Sequence, residues 1–167
     1  MPGFEDHDER AARPGGFTLP HAPRDERRFP TATGKANFTA APVTWPRVPQ
    51  GRLLLRTLRS HDRYDNTVHG LDDRYRGISN GRRAVLVNEE DATALGLDDG
   101  SYADLTSEWT DGSTRTARGF RVVHHPTARG CAAAYYPETN VPVPPDATAD
   151  VGSTPASKSP VIRVTPA

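Results

Sequence analysis

The stretch RSHDRYDNTVHGLDDRYRG, from Arg59 to Gly77, concentrates ionisable side chains just after an apolar run. Arg59, Arg63, Arg74, Arg76, Arg82 and Arg83 fall within 25 residues and alternate with Asp62, Asp65, Asp72 and Asp73. A guanidinium presents two parallel N–H donors, the geometry that phosphate oxygens accept best. Ser60, Asn66 and Thr67 offer neutral donors, and loop amides can converge into an anion nest. The same residues also suit a surface loop whose opposite charges pair with one another, an arrangement worth little energetically. Composition leaves both open.

A second stretch, YYPETNVPVPPDATADVGSTPASKSP (135–160), carries polar groups of another kind. The Asn140 amide can read a heterocycle edge by paired hydrogen bonds, and Tyr135 and Tyr136 can stack or donate. Ser157 and Lys158 supply donors to an oxyanion. An ordinary Pro-rich loop is the plainer alternative, but loops this long in small domains commonly bind something. Other combinations carry less. His61 and His69 lack a third ligand at metal-binding spacing. His124 and His125 are adjacent in a strand and point to opposite faces. Ser60 next to His61 says nothing of triad geometry. Cys131 lies among Gly and Ala, where a free cysteine is a small core residue.

The elements that position these groups are mostly strands. RLLLRTLR (52–59) is a strand, and RAVLVN (83–88) is a second one, apolar on both faces. NEEDATALGL then predicts a compact helix, with Asn88 as N-cap, acidic residues at its positive end and Gly96 as the stop. DDGSYADLTSEW starts with a turn at Asp99-Gly100 and alternates into a strand. TDGS (110–113) is a hairpin turn, since Asp-Gly takes positive φ readily, and TRTARGFRVV (114–123) returns as its partner. GCAAAYY (130–136) is a small-residue strand suited to close packing, and SPVIRVT (159–165) is the last. Six short strands with a brief helix and long loops imply a small closed barrel.

Residues 1–50 differ from 51–167. They are rich in Pro and Gly, and no stretch holds helical or strand periodicity. TATGKANF (31–38) suggests a turn at Gly34 and then a short strand. Phe4, Phe17, Phe29, Phe38 and Trp45 are spaced along the segment, more large aromatics than a free tail needs. An arm packing across a surface is expected, much of that surface lying outside the chain.

The 167 residues contain 21 Lys+Arg and 21 Asp+Glu, so formal net charge is zero. That argues against nucleic acid or an anionic membrane as a whole-surface partner. Apolar residues make up 35%, below the roughly 45–50% of globular domains on a slightly different residue set. Either part of the chain is not core, or the core is shared. With one cysteine, Cys131, no internal disulfide and no all-cysteine zinc or iron–sulfur site can form within the chain. No apolar run approaches membrane-span length and the N-terminus is too charged for a signal peptide, so a cytoplasmic location is expected.

Five segments together resemble one family: RRFPTATGKANF (27–38), TLRSHDRYDNTVHGLDDRYRGI (57–78), GRRAVLVNEEDATALGLDDG (81–100), RGCAAAYYPETNVPVP (129–144) and STPASKS (153–159). They occur in family order and look like the C-terminal end of molybdopterin oxidoreductases of the dimethyl-sulfoxide-reductase superfamily, in particular the formate-dehydrogenase-like alpha subunits. The resemblance implies an all-β, six-stranded double-psi barrel with one or two short helices over 51–167. It implies an extended arm over 1–50 that is the tail of a catalytic domain. It further implies binding of molybdopterin guanine dinucleotide, the molybdenum or tungsten being held mainly by an N-terminal catalytic and iron–sulfur portion. Carried over residue by residue, it places Arg59, Ser60, His61, Asp62 and Tyr64 at the cofactor, with Tyr136, Asn140 and Lys158 from the later loop. Relatives tend to have Gln, an aromatic and Asn where this chain has Arg63, Tyr64 and Asp65, so a charge is added at 63 and donors are removed at 65.

MPGFEDHDERAARPGGF resembles an internal segment of the larger subunit, which implies that Met1 is a fragment start or a mistaken start codon. No residue here is expected to ligate the metal or carry electrons, so the domain would serve catalysis by holding the cofactor. Two alternatives stand beside that. The chain could be a split subunit that reassembles with a separate N-terminal part, or a stand-alone barrel acting as an interaction module.

Overall fold

The computed structural model describes residues 4–43, 45–61, 70–150 and 152–167. These divide into two units, Met1–Thr44 and Trp45–Ala167. The first carries two short helices that apolar periodicity does not announce, α1 (His7–Ala11) and α2 (Ala22–Asp25), neither with a buried residue. Local capping holds α2 instead. The ring of His21 accepts from the Arg24 amide at 3.1 Å, while the Asp25 carboxylate accepts from the His21 amide at 3.0 Å. The expected turn is present at Gly34, which has φ 66° and donates to the Thr31 carbonyl at 3.0 Å. The short strand expected after it does not form, because residues 36–43 find no ladder partner.

The second unit is a closed barrel of six strands. They are β1 (Leu53–Leu58), β2 (Ala84–Val87), β3 (Tyr102–Glu108), β4 (Thr114–His124), β5 (Cys131–Tyr135) and β6 (Val161–Pro166). Around the barrel they run β1-β5-β2-β4-β3-β6. The pairs β1/β5 and β2/β4 are parallel, and the other four are antiparallel. Exchanging β1 with β4, β2 with β5 and β3 with β6 reproduces the same pairings, parallel for parallel. The barrel therefore has an internal two-fold pattern, with no visible repeat in the amino acids.

Alternation decides what lies inside. Leu53, Leu55, Val85, Val87, Ala103, Leu105, Phe120, Val122, Ala132, Ala134, Ile162 and Val164 form one buried cluster to which every strand contributes. Burying each larger side chain stabilises the fold by about 1.5–3 kcal/mol. The alternate residues Ala84, Leu86, Ala133 and Tyr135 face outward, yet they are buried too, in a second cluster with Ile78. The 70–82 loop thus roofs the wall made by β2 and β5, which explains why β2 is apolar on both faces.

The third helix, α3 (Glu89–Ala94), is capped as its sequence predicts. The Asn88 side chain accepts from the Glu90 amide at 3.0 Å. At the other end Gly96, with φ 68°, donates to Thr93 O at 3.1 Å and Leu97 donates to Ala92 O at 2.9 Å, a Schellman closure. The hairpin at Asp111-Gly112 joins β3 to β4, with Gly112 at φ 80°. Farther along that ladder the register shifts between Ala103 and Leu105. Gly119, at φ 68°, donates there to the Asp104 carboxylate at 2.9 Å. Cys131 opens β5 half-buried rather than in the core.

Candidate binding pocket

Backbone pairing brings three distant segments to one rim. Because β1 and β5 are parallel, with Leu58 opposite Tyr135, the residues that follow both strands emerge on the same side. Because β6 is antiparallel to β1, with Leu54 opposite Val161, the approach to β6 lies beside the end of β1. The Leu55 amide extends that ladder to the Pro160 carbonyl at 2.9 Å. Two side chains secure it. Lys158 donates through Nζ to Thr57 O at 2.8 Å, and Arg56 donates through Nη1 to Lys158 O at 2.7 Å.

A pocket of about 560 Å³ opens at this rim. Arg59, Tyr136, Asn140, Ser157 and Lys158 supply its polar lining, and Val143, Pro144, Pro145 and Pro155 supply apolar walls. The proline-rich loop is ordered by its own backbone. Ala149 donates to Thr154 O at 2.8 Å and Ala156 to Ala147 O at 3.0 Å, tying 147–149 to 154–156. Among the described residues the lining holds two cations and no acidic residue. Arg59 is exposed and makes no hydrogen bond or ion pair among the described residues. The Lys158 ammonium has three donors and spends one on Thr57.

Of the residues singled out from the sequence, Arg59, Tyr136, Asn140 and Lys158 line this pocket. Ser60 is buried beside it, and neither Ser60 nor His61 belongs to its lining. The His61 ring lies 4.4 Å from the Tyr75 ring, centroid to centroid, with Nδ1 3.3 Å from Arg76 Nη1. Asp62, Arg63, Tyr64, Asp65, Asn66, Thr67 and His69 lie outside the described residues. Among the described residues, three of the guanidinium groups at 59–83 are engaged away from the pocket. Arg76 pairs with Asp73 at 2.5 Å, Arg83 donates to Arg118 O at 2.5 Å, and Arg82 is buried. Opposite charges near Arg76 and a far carbonyl near Arg83 claim donors that a phosphate would need.

At the end of β5 that leads into the pocket runs a polar network that composition did not reveal. Asp73 is 1% exposed and accepts from Tyr135 Oη at 2.8 Å, from Arg76, and from the Tyr75 amide at 3.2 Å. Burial pushes the Asp73 carboxyl up, but the Arg76 guanidinium and Tyr135 hydroxyl outweigh this and hold it below its ordinary value. Burial, reinforced by the Asp73 charge, pushes the Tyr135 hydroxyl up to about 12. Arg82 donates through Nη2 to the Tyr136 carbonyl and, at 3.3 Å, to Glu138. The one sequence signal was Tyr135 at the end of an otherwise small-residue strand, where an aromatic must find room outside the barrel.

Elsewhere, among the described residues, no three His, Cys, Asp or Glu side chains gather to hold a metal ion. No helix among them is long and apolar enough to cross a membrane.

Fold and pocket together define a closed six-stranded barrel with a basic, proline-walled cleft at one rim. No family model matches the chain. It is 52% identical over 170 residues to an uncharacterized oxidoreductase of Mycobacterium tuberculosis, covering 99% of this chain and 22% of the relative. An uncharacterized oxidoreductase of Mycobacterium bovis matches with the same figures. Protein YdeP of Escherichia coli is 35% identical over 145 residues, covering 84% of this chain and 19% of the relative. The chain therefore spans about a fifth of the length of the curated relatives it matches.

Proposed function

We propose that this barrel is the cofactor-holding domain of a larger, cytoplasmic, formate-dehydrogenase-like oxidoreductase and that its rim pocket binds part of a molybdopterin guanine dinucleotide. The observation that carries this is the meeting of Arg59, Tyr136, Asn140, Ser157 and Lys158 in one pocket without an acidic residue among the described ones. The donor set fits the group. Arg59 and Lys158 suit a diphosphate, Asn140 can pair with a heterocycle edge, and Tyr136 and the prolines offer flat apolar contact. A volume of about 560 Å³ lies within the range of small-molecule sites. That relatives more than four times as long are named oxidoreductases supports a role within a larger enzyme. When bound, the cofactor supplies metal-centred redox chemistry. This chain's residues neutralise, orient and partly desolvate it, in company with an N-terminal catalytic and iron–sulfur portion.

The test is an NMR titration of the ¹⁵N-labelled full chain with guanosine diphosphate and, separately, inorganic pyrophosphate. Shifts should concentrate at Arg59, Tyr136, Asn140, Ser157 and Lys158. Saturating probe that leaves all five unmoved would overturn the reading.

A further inference from the structure

We propose that Arg82 is a positioning residue for the rim pocket, acting through the backbone of Tyr136 rather than by touching ligand. The proposal rests on the cofactor-holding reading of that pocket. Arg82 is 2% exposed and precedes β2 by two positions, yet its Nη2 reaches the carbonyl of Tyr136, 54 residues away. Its guanidinium carbon also stands 5.3 Å from the centroid of the Tyr135 ring. Arg82 Nε and Nη1 are buried and have no hydrogen-bond partner among the described residues. A solvated arginine would satisfy all five donors in water, so this side chain gives up bonds to sit here.

What it holds is the turn that carries two pocket residues. The Tyr136 amide donates to Leu58 O at 2.9 Å, so with Arg82 on its carbonyl this residue is held at both its backbone polar groups. Beyond it the backbone of the turn bonds back to its own stem. Thr139 donates from its amide and its hydroxyl to Tyr135 O, at 3.0 and 2.8 Å, and Asn140 donates to Pro137 O at 3.0 Å. Arg82 is also the side chain that bonds Glu138 within this turn, at 3.3 Å. Removing it would loosen the turn without removing any group from the pocket lining.

The experiment compares R82M and R82K with R59Q in the full chain. Affinity for guanosine diphosphate is measured at low and high salt, and amide exchange is followed by NMR without ligand. R82M should weaken binding about tenfold while keeping the wild-type salt dependence, because no charge facing the ligand is lost. R59Q should weaken binding and flatten the salt dependence. R82K, which keeps the charge but replaces the guanidinium fork with a single ammonium, should fall between R82M and wild type. In ligand-free R82M the amides of Glu138, Thr139 and Asn140 should exchange faster while those of β3 and β6 hold. Wild-type affinity with unchanged exchange at 138–140 would overturn the proposal. So would a salt dependence flattened as in R59Q, which would mark direct contact. Should R82M fail to fold, R82K carries the same comparisons. If wild-type protein binds neither guanosine diphosphate nor pyrophosphate, the cofactor reading fails. Ligand-free exchange at 138–140 then decides the role of Arg82 alone, faster exchange supporting it and unchanged exchange overturning it.

Discussion

The Tyr135 hydroxyl donates to the Asp73 carboxylate at 2.8 Å, with 0% and 1% of the two residues exposed. It fastens the loop after β1 to the strand that leads into the rim pocket. Tyr135→Phe keeps the ring and deletes this bond. A buried hydrogen bond to a charged group contributes about 1.5–3 kcal/mol, and a loss of that size is expected in urea denaturation.

The same pair shapes the pH dependence at both ends. The folded Asp73 carboxyl titrates below its ordinary value of 3.8, so its contribution is fully present above that value. Stability should be lost as pH falls through the lower, folded value. Tyr135 runs the other way. Its folded value of about 12 exceeds the ordinary 10.0, so its contribution is complete below 10.0 and lost as pH rises toward 12. Denaturation curves across pH should show both limbs, and Y135F should lack the alkaline one.

At the pocket, Arg59→Gln removes a guanidinium that is not engaged elsewhere among the described residues, so folding stability should stay within about 0.5 kcal/mol. Guanosine diphosphate affinity should fall about 10-fold or more, the worth of a charge-assisted hydrogen bond. Lys158→Met should lower affinity and stability together, since Nζ also bonds Thr57 O. Calorimetric titration alongside thermal melts separates the two behaviours.

Phe120 is fully buried in the barrel cluster contributed by all six strands. Phe120→Ala should cost about 3–5 kcal/mol through lost transfer energy and the cavity left behind. Next to it Gly119 holds φ 68° opposite the Asp104 carboxylate. Gly119→Ala should destabilise by about 1–2 kcal/mol from backbone strain alone, as no atom would crowd the added methyl. Equal melting temperatures for G119A and wild type would contradict the strain.

Local signals were legible in the sequence because their physics is local. An apolar, β-forming run marked Leu53–Leu58, Asn88 and Gly96 bracketed α3, and Asp111-Gly112 announced the hairpin. The rim pocket was legible only in part. Arg59, Asn140 and Lys158 were distinguished by type, but what joins them is the parallel register of β1 and β5, set 77 residues apart where Leu54 meets Cys131. Charge density alone could not sort the arginines, for a related reason. Arg76 and Arg83 look equivalent as letters, while the fold gives one a buried carboxylate and the other a distant carbonyl. The short helices of the first unit bury no apolar face, and α2 rests on its cap, so periodicity had nothing to report.

The two-fold pattern of the barrel has a kinetic corollary. None of β1, β2 and β3 pairs with another of the three, and the same holds for β4, β5 and β6. Every ladder spans the divide, and only β3 with β4 joins sequence neighbours. On the ribosome the first half can make no sheet at all until β4 has emerged. The barrel must then close by long-range zippering, the slow regime for a chain of this size. Neither half could persist as a folded piece after proteolytic cleavage between β3 and β4 and dilution of the fragments.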